Sequence, residues 1–286
     1  MKPARIFSLT VLAMLCFAGN SLLCRLALRN SLIDAASFTS IRLISGAVLL
    51  FVIATFRSQR PLQGGSWFSA FALFSYAAAF SFAYISLPAG TGALLLFGAV
   101  QSTMIFWGLR RGESFGWSQV FGLIVALAGL VALVLPGLAS PPLRGSMLMI
   151  TAGVAWGVYS LRGKRGGDAA SSTAGNFIRV IPFAVVLTVA FSGRVHADHV
   201  GLICALLSGA ITSGIGYVLW YAVLPSLAST SAGTVQLSVP VLAAVGGITL
   251  LGEQPTLRFV LASVAVLSGI AIVIWNQHAT TTRSRA

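Results

Sequence analysis

Residues 39–50, TSIRLISGAVLL, align without a gap on residues 176–187, NFIRVIPFAVVL, at an offset of 137, and agree at Ile, Arg, Ile, Ala, Val and Leu, six positions of twelve. Apolar matches come easily by chance in such sequence. The matched arginines, Arg42 and Arg179, carry the weight, because arginine is rare inside a long apolar run. Two further pairs agree at an offset of 140: Gly112-Glu113 with Gly252-Glu253, and Gly129 with Gly269. The chain therefore reads as one unit written twice, residues 1–137 and 138–286.

The environment of that unit follows from composition. Of 286 residues, 57% are hydrophobic and 8% charged, with a mean hydropathy of +0.93. Eighteen Lys and Arg with five Asp and Glu are too few charges to solvate a globule of this size, so lipid is the expected main solvent. A net charge of +13 raises nucleic-acid binding, but the bases sit in pairs between apolar runs and form no continuous stripe, so no nucleic acid is expected. Cys16, Cys24 and Cys204 lie within apolar segments without metal-ligand spacing, and neither a disulfide frame nor a metal site is expected.

Ten apolar stretches are long enough to cross about 30 Å of hydrocarbon as helices. They run approximately 5–26, 36–56, 67–87, 90–109, 116–135, 145–163, 173–192, 199–222, 229–251 and 256–275, with breaks such as Arg57–Pro61, Gly163–Asp168 and Gly252–Pro255. Lys2 and Arg5 precede the first run as in a signal peptide. The run continues past its small residues without a convincing cleavage site, so a first span is expected instead. With a cytoplasmic N-terminus, eleven bases fall inside and five outside, which predicts that both termini are cytoplasmic. Trp67, Trp107, Trp117 and Trp275 then share the cytoplasmic interface.

Five spans per copy is an odd number, so the second copy crosses in the opposite sense. The expected fold is an all-α integral membrane protein of ten transmembrane helices arranged as two inverted five-helix repeats, with a pseudo-twofold axis in the membrane plane. Inverted repeats build a site at their interface that can open to either side, which points to a transporter.

The residues resemble a family. The five-plus-five plan, Arg42 and Arg179, the small-residue run Ser229–Gly233 ahead of Val239-Pro240, and Leu251-Gly252-Glu253 followed by Gly269 look like the drug/metabolite transporter superfamily, EamA type. The likeness covers nearly the whole chain and is clearest from Tyr217 to Ile274. In the first half, Val100 replaces the proline aligned with Pro240. Ala18-Gly19 also stands where many members have the Trp-Gly pair, kept here at Trp156-Gly157. What the resemblance implies is an inner-membrane transporter that moves small metabolites outward, commonly amino acids. Within the superfamily, the aromatic content is most similar to the YddG-type aromatic amino acid exporters.

Buried polar and aromatic residues nominate the site. Asn20, Gln101 and Gln236 are costly in lipid unless they face the bundle, where each serves either a helix-to-helix hydrogen bond or a substrate. Tyr76, Phe80 and Tyr84 repeat at i, i+4 and i+8 on the third span; Trp156 and Tyr159 share a face of the sixth, and Tyr217 and Trp220 a face of the eighth. Packing is the first expectation for any one of these rings. Three stripes together, tipped with hydroxyl and indole donors, point to a substrate pocket. Arg42 and Arg179 have no acid beside them within a span and must snorkel, bond backbone carbonyls or meet a substrate carboxylate; snorkelling or capping is the leading expectation. Glu113 and Glu253 are expected to cap the next helix or to receive a base such as Arg111 or Arg258. Gly153 and Gly157 form a GxxxG that admits a neighbouring helix, and with Pro240 and the eighth-span glycines they are candidate flexing points.

No phosphate loop and no soluble segment for a nucleotide domain exist, so ATP is not the expected driver and no cofactor is predicted. His196, His199 and His278 belong to loops or the tail, and no carboxylate lies mid-span. Downhill facilitated movement is therefore expected over proton antiport. An intramembrane enzyme would need a clustered acid, base, nucleophile or metal set, and no HExxH, GxSxG or facing carboxylate pair appears. Export of threonine-like amino acids or amphipathic drugs is the alternative. The expected partners are a small-molecule substrate and the lipid bilayer, with a monomer as the working state.

Overall fold

The computed structural model describes the chain apart from residues 1–2, 57–63, 111–115, 138–139, 164–168, 228–234 and 284–286; for residues 3, 169–170 and 273–283 it describes the backbone alone. Glu113, Arg57–Pro61, Ser229–Gly233 and the side chain of Trp275 lie outside the described residues. Ten helices carry the rest, and no strand occurs among the described residues. They are α1 (Pro3–Arg29), α2 (Ala35–Phe56), α3 (Trp67–Tyr84), α4 (Ala89–Arg110), α5 (Trp117–Val134), α6 (Leu143–Gly163) and α7 (Ala169–Ala190). Next comes α8, which runs from His199–Leu207 through a π-helical stretch, Ser208–Ile215, into Gly216–Val223; α9 (Ser238–Leu251) and α10 (Leu257–Arg283) complete the set.

By length and composition α1 to α5, α7 and α8 are apolar enough to cross a membrane, while α9 and the Leu257–Ile272 part of α10 are shorter apolar helices. Helix α6 carries Arg144 and Arg162 near its two ends. The bundle turns Phe51, Phe71, Phe121, Val186 and Val264 outward. Lipid can cover such an exterior and water cannot. Trp67, Trp107 and Trp117 stand exposed toward the end of the bundle where α3 and α5 begin and α4 ends, the end at which α1 begins and α10 finishes.

Local chemistry fixes the helix ends. Ser66 caps α3 by accepting from the Ser69 amide at 3.2 Å, and Asp198 caps α8 by accepting from the Gly201 amide at 2.6 Å. Gly252 closes α9 in the left-handed region at φ 64°, a conformation that costs glycine nothing. Arg29 donates to the Leu251 carbonyl at 2.7 Å, and Arg258 donates to the carbonyls of Ala132 and Leu135, so two helix C-termini receive cations from neighbouring elements.

Adjacency within the bundle has a simple rule. Helix α3 packs on α6 and α7, as α8 packs on α1 and α2; α4 packs on α6, as α9 packs on α1. The pairs α2–α7, α4–α9 and α5–α10 each join a helix to the one five later. Exchanging every helix for its counterpart five places away therefore maps these packings onto themselves. Small residues permit the closest of them: a Cβ built on Gly122 would lie 2.5 Å from the Gly269 carbonyl oxygen, and one on Gly269 2.5 Å from that of Gly122.

Candidate transport site

The centre of the bundle, where α1, α2, α3, α6 and α8 meet, holds a continuous polar and aromatic cluster. Asn20, one turn past the middle of α1, donates to the Tyr76 hydroxyl at 3.3 Å and accepts from Ser208 at 2.6 Å and Thr212 at 3.3 Å. Arg42 of α2 donates through Nε to Ser213 Oγ at 3.1 Å and through Nη2 to the Tyr76 hydroxyl at 3.0 Å. Its guanidinium carbon lies 5.2 Å from the Tyr76 ring centroid and 5.0 Å from that of Phe80, within cation–π range of both. Arg42 is 1% exposed, and its Nη1 has no hydrogen-bond partner among the described residues.

Aromatic rings extend this polar centre across the bundle. Trp156 stands among them, with ring centroids 4.8 Å from Tyr217, 4.9 Å from Tyr76, 5.6 Å from Tyr159 and 6.0 Å from Phe17. Tyr217 packs in turn on Phe177 and Phe17. Toward the terminal end, Tyr159 accepts from Asn176 at 3.4 Å, and both line a cavity of about 220 Å³ with Ser66, Ser69, Thr173 and Arg162. The Arg162 side chain reaches Ser69 Oγ at 3.0 Å and lies over the Phe68 ring. A larger apolar crevice of about 670 Å³ runs between α4, α5 and α6 past Phe106, Leu127 and Val131, on the outward side of the bundle and away from every member of the cluster.

Asn20, Tyr76, Phe80, Trp156, Tyr159 and Tyr217 thus come together as one group. Trp220 joins through Phe17, with centroids 6.1 Å apart. Tyr84 departs from it: its ring packs on Phe80, but its hydroxyl donates to the Ala89 carbonyl of its own chain turn at 3.2 Å, and Gly92 is pressed against it. Gln101 is buried on α4, which packs on the glycine face of α6 and not on the aromatic one. Gln236 is buried just ahead of α9, its Oε1 without a partner among the described residues, and Pro240 occupies the first turn of α9. On α6, a Cβ at Gly153 would lie 2.5 Å from the Leu96 carbonyl oxygen and one at Gly157 2.9 Å from Thr103 Cβ, so these glycines bring α4 close.

Two expectations need correction. Arg42 neither snorkels nor caps backbone; it enters at the eighth residue of α2 and turns inward, because hydroxyls of α3 and α8 offer acceptors in the interior. Arg179 does bond backbone, donating to the carbonyls of Gly64 at 2.6 Å and Gly175 at 3.0 Å. Glu253 does receive a base, but it is Arg25 at 2.9 Å in place of Arg258, and its other oxygen accepts from the Ala89 amide at 2.8 Å, so the helix it caps is α4 and not the next one. Its true partners lie 228 and 164 residues away.

The sequence reading missed Ser208, Thr212 and Ser213. Their spacing of four and five residues is visible in an otherwise apolar run, but the face they share is set by the π-helical turn, whose extra residue per turn aligns all three toward α1 and α2. Gly209 allows this stretch to reach the α2 backbone, since a Cβ there would strike Ser45 Oγ and the Arg42 carbonyl oxygen.

A membrane bundle whose polar, aromatic-walled centre is assembled from both halves of the chain belongs to the class of solute transporters. The chain matches the EamA-like transporter family over residues 5–135 and again over 143–275, and it is a member of that family. An uncharacterised protein of Pseudomonas aeruginosa is 54% identical over 96% of each chain. A threonine/homoserine exporter of Salmonella typhimurium is 30% identical over 64% of this chain and 61% of its own. A solved crystal structure superimposes with a TM-score of 0.65, covering 93% of this chain and 98% of that one at 18% identity, a likeness of fold.

Proposed function

We propose that the protein exports amino acids across the inner membrane by alternating access, with aromatic and other hydrophobic amino acids as substrates. The observation that carries this reading is the packing of the Tyr76, Trp156 and Tyr217 rings against one another, with Asn20 and Arg42 bonded to the Tyr76 hydroxyl at their edge. Flat walls of this kind stack on an apolar or aromatic side chain, while a few donors orient the charged ends of the solute. The double match to the family and the helix adjacency support two inverted repeats, 1–137 and 138–286, and the distribution of basic residues between the spans supports both termini in the cytoplasm. The cavity at Tyr159 and Asn176 is then the cytoplasmic approach to the site.

The energy source in this reading is the solute gradient. The described acids Asp34, Asp198 and Glu253 all sit at helix ends with partners there, and no carboxylate faces the cluster among the described residues. Proteoliposomes carrying the protein should show counterflow of labelled phenylalanine or tryptophan that persists when the pH gradient is collapsed. Strict dependence on that gradient would refute the uniport. Alanine at Trp156 or Tyr217 should reduce this flux at least tenfold in protein that still elutes as a folded species; unchanged flux would refute the aromatic box. A second reading, export of small hydroxylated amino acids, is favoured by the Salmonella relative and by the hydroxyls of Ser208, Thr212 and Ser213 beside Asn20 and Arg42. The same counterflow with labelled threonine separates the two.

A further inference from the structure

We infer that Arg42 is the carboxylate anchor of the transport site, and that the site selects its substrates by the acid group and not by the ammonium group. The inference rests on the transport reading above and sharpens it to a chemical class, monocarboxylates with a side chain that stacks on rings.

Three observations carry it. Arg42 is a permanent cation with 1% exposure, and its Nη1 is the one guanidinium nitrogen for which the described residues supply no acceptor. A buried charge without a counterion is expensive, and such a group in a membrane protein is retained where something pairs with it. The described acids supply no such partner: Asp34 is held by the amides of Ser37 and His196, Asp198 by that of Gly201, and Glu253 by Arg25 and Ala89. The guanidinium is also held in place, with Nε and Nη2 fixed on Ser213 and Tyr76 and the rings of Tyr76 and Phe80 alongside it. Its open nitrogen, Nη1, can donate to an anionic oxygen without first being organised, which is the condition for binding at low cost in entropy.

The other end of an amino acid meets a different environment. The cluster contains rings, hydroxyls and the Asn20 amide but no acid, so an ammonium group finds only cation–π faces and neutral acceptors. Removing the ammonium should therefore cost little, and removing the carboxylate should cost much.

The test uses the intact protein in proteoliposomes and competes the counterflow of a labelled amino acid, phenylalanine or threonine, with unlabelled analogues. For phenylalanine these are 3-phenylpropionate, which keeps the acid alone, and phenylalaninamide and phenethylamine, which lack it. The expected result is competition by 3-phenylpropionate within a few-fold of phenylalanine, and by the two acid-free analogues weaker by about 10- to 100-fold, the worth of one charge-assisted contact. Equal competition by acid and amide would overturn the anchor while leaving the transport reading standing. Absence of flux of any labelled amino acid would overturn the transport reading itself. Arg42→Gln should erase the preference for acid over amide, and Arg42→Lys should restore part of it as a point charge. Should neither variant elute as a folded protein, the wild-type competition series decides alone.

Discussion

Tyr76 is where two separate requirements meet on one oxygen. Its hydroxyl accepts from Arg42 and from Asn20, so it ties α2 and α1 to α3, while its ring is one wall of the box. Tyr76→Phe keeps that wall and deletes the acceptor. A hydrogen bond to a charged group contributes about 1.5–3 kcal/mol, so the apparent KM for the transported amino acid should rise about tenfold or more while the ring contact with Trp156 is retained. Counterflow kinetics on the variant check this, and an unchanged KM would show that Arg42 is positioned by Ser213 alone. The sequence displays Asn20, Arg42 and the aromatic repeat on the third span, because rare polar residues and helical periodicity are visible without coordinates. It does not display that Tyr76 is shared, or that Tyr84 spends its hydroxyl on Ala89. Both follow from which atoms lie within 3.5 Å after packing.

At the scale of the element, α6 is a two-faced helix. Trp156 and Tyr159 look into the cluster, while Gly153 and Gly157 let α4 approach from the other side. The atoms that a Cβ at Gly153 would meet are the Leu96 carbonyl oxygen at 2.5 Å and Ala99 Cβ at 2.6 Å, neither of which can swing away. Gly153→Ala should therefore force α4 and α6 apart, at a cost of about 1–3 kcal/mol, the range for overpacking. Thermal unfolding in detergent should show a lowered midpoint for this variant. The control is Gly193→Ala, where a Cβ meets nothing within 4 Å and no shift is expected. The GxxxG spacing announces such an approach but not its partner. The hydroxyls of Ser208, Thr212 and Ser213 are visible in the sequence, but the π-helical turn of Ser208–Ile215 is not, and its extra residue per turn is retained because all three then find partners on α1 and α2.

For the whole molecule, the end opposite the termini is tied by contacts between distant loops. Arg25, Glu253 and the Ala89 amide join α1, the α9–α10 turn and α4; Asp34 and His196 join the α1–α2 turn to the α7–α8 turn, where Ile33 and Ala197 also pair. In the exporter reading this is the outer side, and the cavity beside Arg162 lies toward the other. Burial raises the pKa of the Asp34 carboxyl, but hydrogen bonds from the Ser37 hydroxyl and the amides of His196, Ser37 and Ala36 outweigh it and hold the carboxyl below the usual aspartate value. A depressed folded-state pKa gives stability that is present above the unfolded value, about 3.9, and is lost as pH falls through the lower folded value. Thermal midpoints in detergent should thus fall as pH drops below about 4, and Asp34→Asn should flatten that part of the profile.

Much of this protein is fixed by composition and order along the chain. Long apolar runs separated by charged and small residues have one stable outcome in lipid, a bundle of helices that satisfy their own backbone, and two such runs carry an arginine at matching places. Tertiary structure decided the rest, because partner choice depends on distances between residues far apart in sequence. It turned Arg42 inward onto hydroxyls of α3 and α8 and sent Arg179 to backbone carbonyls, although the two arginines stand at matching places in the repeat. Equal positions in sequence acquired different chemistry, since a cation in a low-dielectric interior goes wherever acceptors are within reach, and packing alone determines where those are.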